Sequence, residues 1–248
     1  MEIFAYSATL VTGMILGMMG GGGSVFALSI LVYLFKIQPS VATGYSLFIV
    51  GISCLVVGLI AYKRKETDNR AVFQFGLPAI PAVVLARFYL MPLIPVSKQW
   101  MIMILLAVVM IAAALLFFLN YQPKNTEPGK KNVAIGGLLT GLLTGISGAG
   151  SGFIIVPVLT SAMGIPLKKA IGSSLLIIAF TAGIGFIAAL KTTAINWNLL
   201  LPLTIVALSG SCIGAAICNR INTGLLKIIL SVTMIGMALF IVVRTFFV

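Results

Sequence analysis

The sequence predicts an all-α polytopic membrane protein built from two internal repeats. Three observations carry that prediction. Hydrophobic residues make up 60% of the 248-residue chain and charged residues only 8%, against about a quarter in soluble domains. Apolar runs about one membrane thick alternate with short polar breaks. Two glycine-rich segments, "GMMGGGGSVFALSI" at 17–30 and "GISGAGSGFIIVPV" at 145–158, occupy matching places in the two halves.

The breaks fall at 35–40, 63–70, 91–98, 120–132, 164–169, 191–197 and 219–224. Most apolar runs between them are about 20 residues long, enough for one helical crossing of a hydrocarbon core about 30 Å thick. The N-terminal run has no basic start and reads as a first membrane segment, not a cleaved signal. Trp100, Trp197, Tyr62 and Tyr121 sit at run ends, as interfacial anchors do. Pro78, Pro81, Pro157 and Pro202 lie inside runs and predict kinks there.

The repeat is visible without gaps. Residues 10–47 laid on 138–175 share twelve identities, five of them glycines: Gly13/Gly141, Gly17/Gly145, Gly20/Gly148, Gly22/Gly150 and Gly44/Gly172. Shared apolar composition explains matched leucines but not matched glycines. The expected organisation is repeat 1 at 1–120, a polar linker at 121–132 and repeat 2 at 133–248, together one integral membrane domain.

The first run of each repeat, 3–35 and 133–163, is too long for one ordinary span. Each is cut by its glycine cluster, leaving a 12-residue second piece of about 18 Å. Each is either a hairpin that turns inside the membrane or a single interrupted crossing. The hairpin divides the basic residues 11 to 5 between the two faces and the single crossing 9 to 7. The preference of basic loops for the cytoplasm favours the hairpin. The repeats are then inverted, each a glycine-broken hairpin plus about three spanning helices, with both termini outside.

The chain has no histidine, and its only acids are Glu2, Glu66, Asp68 and Glu127, all outside the apolar runs. A histidine-ligated haem or metal site is excluded, and neither cofactor nor metal is expected. Membrane enzymology would need catalytic groups that these runs lack, so no enzyme is expected. Cys54, Cys212 and Cys218 lie in apolar runs without CxxC spacing and read as small buried hydrophobes. The net charge of +12 is scattered through short loops, which suits anionic lipid and excludes nucleic acid.

Non-helical backbone at membrane depth is tolerated only inside protein or beside water. A broken helix also leaves N–H groups at the start of its second piece, where the dipole favours an anion. Inverted repeats would bring both starts to one point. The expected substrate-binding residues are therefore Gly22, Gly23, Ser24, Gly150, Ser151 and Gly152, with hydroxyls from Ser46 and Ser174 on the helices that follow. Gly13-xxx-Gly17, Gly141-xxx-Gly145 and Gly210-xxx-Gly214 fit helix packing better than a site. Arg87, near the end of its run, reads either as a snorkelling cation or as a substrate contact.

The two glycine segments, their spacing and the duplication resemble the sulfite exporter TauE/SafE family of bacterial membrane proteins. The second half is the clearer match. The first departs from it where Ser29 stands in place of Pro157. The resemblance implies transport of sulfite, organosulfonates or related small anions, usually outward, across the cell inner membrane. A monoanion leaving a negative interior gains about 2.3 kcal/mol per 100 mV, so export needs no coupling ion. Ion-coupled anion uptake and a non-transporting scaffold are the alternatives. The expected partners are the small anion and the lipid bilayer, with a homodimer as candidate assembly.

The charge split makes a topological prediction. A cysteine placed in loop 63–70 should resist a membrane-impermeant thiol reagent on intact cells and react once the membrane is opened. Labelling from outside would reverse the topology.

Overall fold

The computed structural model describes residues 2–21, 23–90, 93, 104, 107–112, 114–115, 130–148, 151–190 and 195–247. Gly22, Gly150, Trp100, Tyr121 and the linker 121–129 lie outside the described residues. Every described element is helical. In chain order they are α1 (Glu2–Met19), α2 (Ser24–Ser29), α3 (Pro39–Lys63), α4 (Asn69–Leu85), α5 (Lys130–Ser147), α6 (Gly152–Met163), α7 (Leu167–Ala189), α8 (Trp197–Arg220) and α9 (Thr223–Phe247). α2 and α4 each run on into one π-helical turn, Ile30–Leu34 and Ala86–Leu90.

Local chemistry sets the ends. Pro39 opens α3, where its missing N–H costs nothing. The Asp68 carboxylate caps α4 by accepting from Ala71 N at 2.9 Å. Asn196 does the same for α8. Gly164 closes α6 in the left-handed conformation. Four prolines stand inside α4, α6 and α8, and the helices continue through them.

Five segments are long and apolar enough to cross a membrane: Pro39–Lys63, Asn69–Leu90, Leu167–Ala189, Trp197–Arg220 and Thr223–Val243. α3 and α7 form the centre, with 67% and 78% of their central windows buried. The outer helices turn large apolar side chains such as Phe73, Leu77, Ile205 and Val232 outward. That exposure suits lipid, as expected for a multi-pass protein.

Glycine contacts fix the helix directions. Gly13 lies on the Ala207 carbonyl and Gly17 on that of Ser211, so α1 and α8 run parallel. Gly141 lies on Ala79 and Gly145 on Val83, so α5 and α4 run parallel. Gly76 faces Ile177 and Gly185 faces Val83, so α7 runs with α4. Gly51 faces Ala182 while Gly58 faces Leu176, so α3 opposes α7. Tyr45 meets Asn196 near the starts of α3 and α8, while Ala61 and Cys218 share a cavity near their ends, so these two are parallel. Thus α1, α3 and α8 point one way, and α4, α5 and α7 the other.

Of the two arrangements open from sequence, this geometry selects the hairpin. Because α1 and α3 run in the same direction, α2 and the residues after it must carry the chain back. The same holds for α5, α6 and α7. The small-residue faces assigned to packing do pack: in each parallel pair a Cβ on the glycine would overlap backbone of the partner helix.

A bulky residue there should be costly. Gly141→Leu should destabilise the protein by at least about 1–3 kcal/mol through overpacking against α4. Gly183→Ala, where a Cβ meets nothing within 4 Å, should be neutral or stabilising. Thermal unfolding of both variants in detergent checks the contrast.

Candidate functional site

The first break follows Met19. Gly20 and Gly21 take φ of +62° and +97°, conformations that side chains other than glycine's rarely adopt. Gly21 N still donates back to Leu16 O at 3.2 Å, and Ser24 N and Ser24 Oγ both turn to Gly21 O, at 3.2 and 2.8 Å. Gly23 passes so close to Leu16 that a Cβ would overlap its backbone. The carbonyl of Gly23 accepts the first bonds of α2, from Phe26 N and Ala27 N.

The second break follows Ser147. Gly148 has φ of +64° and donates its N–H to Thr144 O at 2.9 Å. Ser151 stands at the start of α6 and is held by α5. Its Oγ pairs with Thr144 Oγ1 at 2.7 Å and reaches Thr140 O at 3.1 Å, while its N–H donates to Thr144 Oγ1 at 3.3 Å. The Ser151 carbonyl then accepts Ile154 N and Ile155 N to begin α6.

The two breaks meet. Gly152 lies against Gly20 and Gly21 so closely that a Cβ would overlap the Gly20 carbonyl. Each break also rests on the long helix of the other half. Gly20 lies on Ile171 of α7, and Gly148 on Thr43 of α3. The second contact is the first with both positions shifted by 128.

Of the residues expected from sequence, six are described, and all belong to this junction. Gly23 and Ser24 form the first turn, and Ser151 and Gly152 the second. Ser174 Oγ donates between Gly20 O and Ile171 O, both at 2.8 Å, binding α7 to the first turn. Ser46 Oγ makes a longer contact to Ser24 O, at 3.5 Å. The hydroxyls of Ser46 and Ser174 thus face backbone carbonyls of the broken segments. Neither α2 nor α6 has a side-chain cap, so their first N–H groups are left to backbone partners or to a ligand.

Sequence reasoning underweighted Thr43, Thr144 and Arg87. Arg87 does not snorkel: it is buried, at 4% exposure, and donates to Thr43 Oγ1 at 2.9 Å. Its run places it near the end of a helix, but the π turn Ala86–Leu90 directs it inward, and no residue pattern announces such a turn. Ser24, Ser46, Thr43, Thr140, Thr144, Ser151 and Ser174 are all buried around the breaks. Among the described residues no group of metal-ligating side chains occurs. The junction is made of hydroxyls and backbone dipoles around one cation, which can neutralise an anion and cannot supply acid–base catalysis.

Broken helices meeting at the centre of a helical membrane bundle define a membrane transporter class of architecture. Comparison with known proteins agrees. The profile of the family described as sulfite exporter TauE/SafE matches residues 5–241, and the chain belongs to that family. It is 26% identical over 249 residues to a probable membrane transporter protein of Xylella fastidiosa, covering 95% of this chain and 92% of the relative. It is 25% identical to the probable membrane transporter protein YunE of Bacillus subtilis, covering 91% and 93%. A probable membrane transporter protein of Methanocaldococcus jannaschii is also 25% identical, over 93% of both chains. No solved structure matches the chain significantly.

The Ser174 hydroxyl can be tested as the clasp on the first turn. Ser174→Ala should cost about 1 kcal/mol and speed amide exchange across residues 16–24. Ser209, which is exposed and bonds only its own helix at Val206 O, is the control. If Ser174→Ala exchanges no faster there than Ser209→Ala, the turn is held by other contacts.

Proposed function

We propose that this membrane transporter exports a small sulfur-containing oxyanion, sulfite or an organosulfonate, across the cell inner membrane. The anion passes between the two glycine breaks. The observation that supports this is the backbone contact of Gly152, at the start of α6, with Gly20 and Gly21 of the first break, a few residues before the start of α2. Both starts present N–H groups and the positive end of a helix dipole, which together favour an anion. The substrate-binding set is Gly22, Gly23, Ser24, Gly150, Ser151 and Gly152, with Ser46 and Ser174 able to turn their hydroxyls from carbonyls to the anion.

The two halves act as inverted repeats, 1–120 and 133–248, joined by the linker 121–132. What supports this is the opposed direction of α1 and α5 and the contact pairs repeated at a shift of 128. In this arrangement the two turns are packed on each other, so passage needs them to part. Rocking of one hairpin against the other does so without unfolding either. Loop 63–70 faces the cytoplasm and both termini face outward. The direction follows from charge: no carboxylate or histidine stands at the junction to carry a proton inward, and the membrane potential alone drives an anion out.

The test is flux from purified protein in liposomes with the potential clamped. Sulfite, methanesulfonate, taurine and sulfate are compared without a Na⁺ or pH gradient. Saturable, potential-driven efflux of a sulfur oxyanion is the expected outcome, and well-folded Gly152→Val should lose most of it. Flux no higher than in empty liposomes for all four would remove the proposal, and strict dependence on Na⁺ would replace export by coupled uptake.

A further inference from the structure

Arg87 is buried in the π turn that ends the α4 span. A buried cation in a membrane protein is expensive and stays only where something negative answers it. No ion pair to Arg87 occurs among the described residues. Glu66 and Asp68 lie beyond the far end of α3, about 30 Å from Thr43 at the helical rise. What answers it within the protein is weak. Nη1 donates to Thr43 Oγ1 at 2.9 Å and to Gly145 O at 3.5 Å, near the carbonyl end of α5. The N–H groups of Nε and Nη2 have no partner among the described residues. Those two nitrogens form the edge of a guanidinium that grips two oxygens of one oxyanion.

The position of this edge is informative. Thr43 is also the residue on which Gly148 of the second break rests. On the other side of the molecule, Gly17, Ile171 and Ala215 help to line a cavity of about 30 Å³, room for little more than a water. Arg64, Glu66 and Lys168 complete that cavity from the loop side. Shifted by 128, Gly17, Ile171 and Ala215 become Gly145, Thr43 and Arg87. There Arg87 Nη1 bonds both of the others. A long cationic side chain therefore fills the place that on the other face is left open by an alanine.

We propose that Arg87 binds the transported anion through its Nε and Nη2 edge, on the outer side of the second break beside Gly148, and selects oxyanions over halides. Thr43 and Gly145 hold Nη1 and aim that edge. The proposal deepens the transporter function above and shares its premise that an anion passes this turn. The single charge makes the path unequal. Inside, the anion meets the small cavity lined by Arg64, Glu66 and Lys168. Outside, it meets the one buried guanidinium of Arg87, which must release it.

Binding and flux are read separately, on the purified full-length protein. Thermal stability is titrated with methanesulfonate and with chloride at matched ionic strength. Methanesulfonate should stabilise the wild type at lower concentration than chloride does. Arg87→Met should abolish that difference. Arg87→Lys, which keeps the charge and loses the two-nitrogen edge, should shift the methanesulfonate midpoint about ten- to a hundredfold upward. Thr43→Val should shift it in the same direction without removing the charge. If Arg87→Met does not fold, Arg87→Lys and Thr43→Val decide the matter. The proposal is overturned if these variants keep the wild-type midpoint, or if methanesulfonate stabilises the wild type no better than chloride. Absence of flux in wild-type liposomes, by contrast, tells against the transporter function while leaving the binding result standing.

Discussion

The structure depends on one constraint: backbone polar groups away from water must find partners. Two helices stop at Met19 and Ser147, where a continuous helix would have satisfied every N–H and carbonyl. The protein repairs each stop from nearby. Gly21 N reaches back to Leu16 O, and Ser24 donates twice to Gly21 O. Thr144 Oγ1 pairs with the Ser151 hydroxyl and accepts its N–H. Ser174 brings a donor from α7 to Gly20 O. These repairs explain why hydroxyls are the dominant polar side chains around the breaks. A hydroxyl can donate and accept without the desolvation cost of a charge.

The glycines serve the same constraint by removing bulk. Positive φ at Gly20, Gly21 and Gly148 bends the chain within a few residues. Gly152 then lets one turn lie on the other. Elsewhere the glycines do a different job, bringing α1 against α8 and α5 against α4 at backbone distance. In a bilayer, close packing and polar contacts must replace the hydrophobic drive between helices. The junction therefore rests on closely packed helix pairs.

Much of this was legible in the sequence because glycine and charge are informative in an apolar chain. The breaks, the short second pieces, the parting of packing glycines from turn glycines, and the helix ends at 35–40, 164–169 and 219–224 all follow from residue type and spacing. The hairpin was one of two arrangements, favoured by the split of basic residues, and the matched directions of α1 and α3 agree with it. Arg87 was legible as an anomaly but not as a buried group. It lies in the π turn Ala86–Leu90, which no residue pattern announces, and its partners Thr43 and Gly145 are 44 and 58 residues away. The destination of the Ser174 hydroxyl was hidden for a related reason. Its partner, Gly20, is 154 residues away, and no local pattern encodes a contact of that range.

The parallel pairing of α1 with α8 has a consequence for biogenesis. Gly17 rests on Ser211, so α1 leaves the ribosome long before the helix it packs against. At about 5–20 residues per second, the glycine face of α1 waits about 10–40 s in the membrane for α8. During that interval its exposed glycine face must be shielded by lipid, by the insertion machinery or by a chaperone. Neither half completes its own packing, because α5 of the second half is what covers α4 of the first. Assembly is therefore a late, whole-chain event, and a truncated nascent chain would display the very surfaces that quality-control proteases recognise.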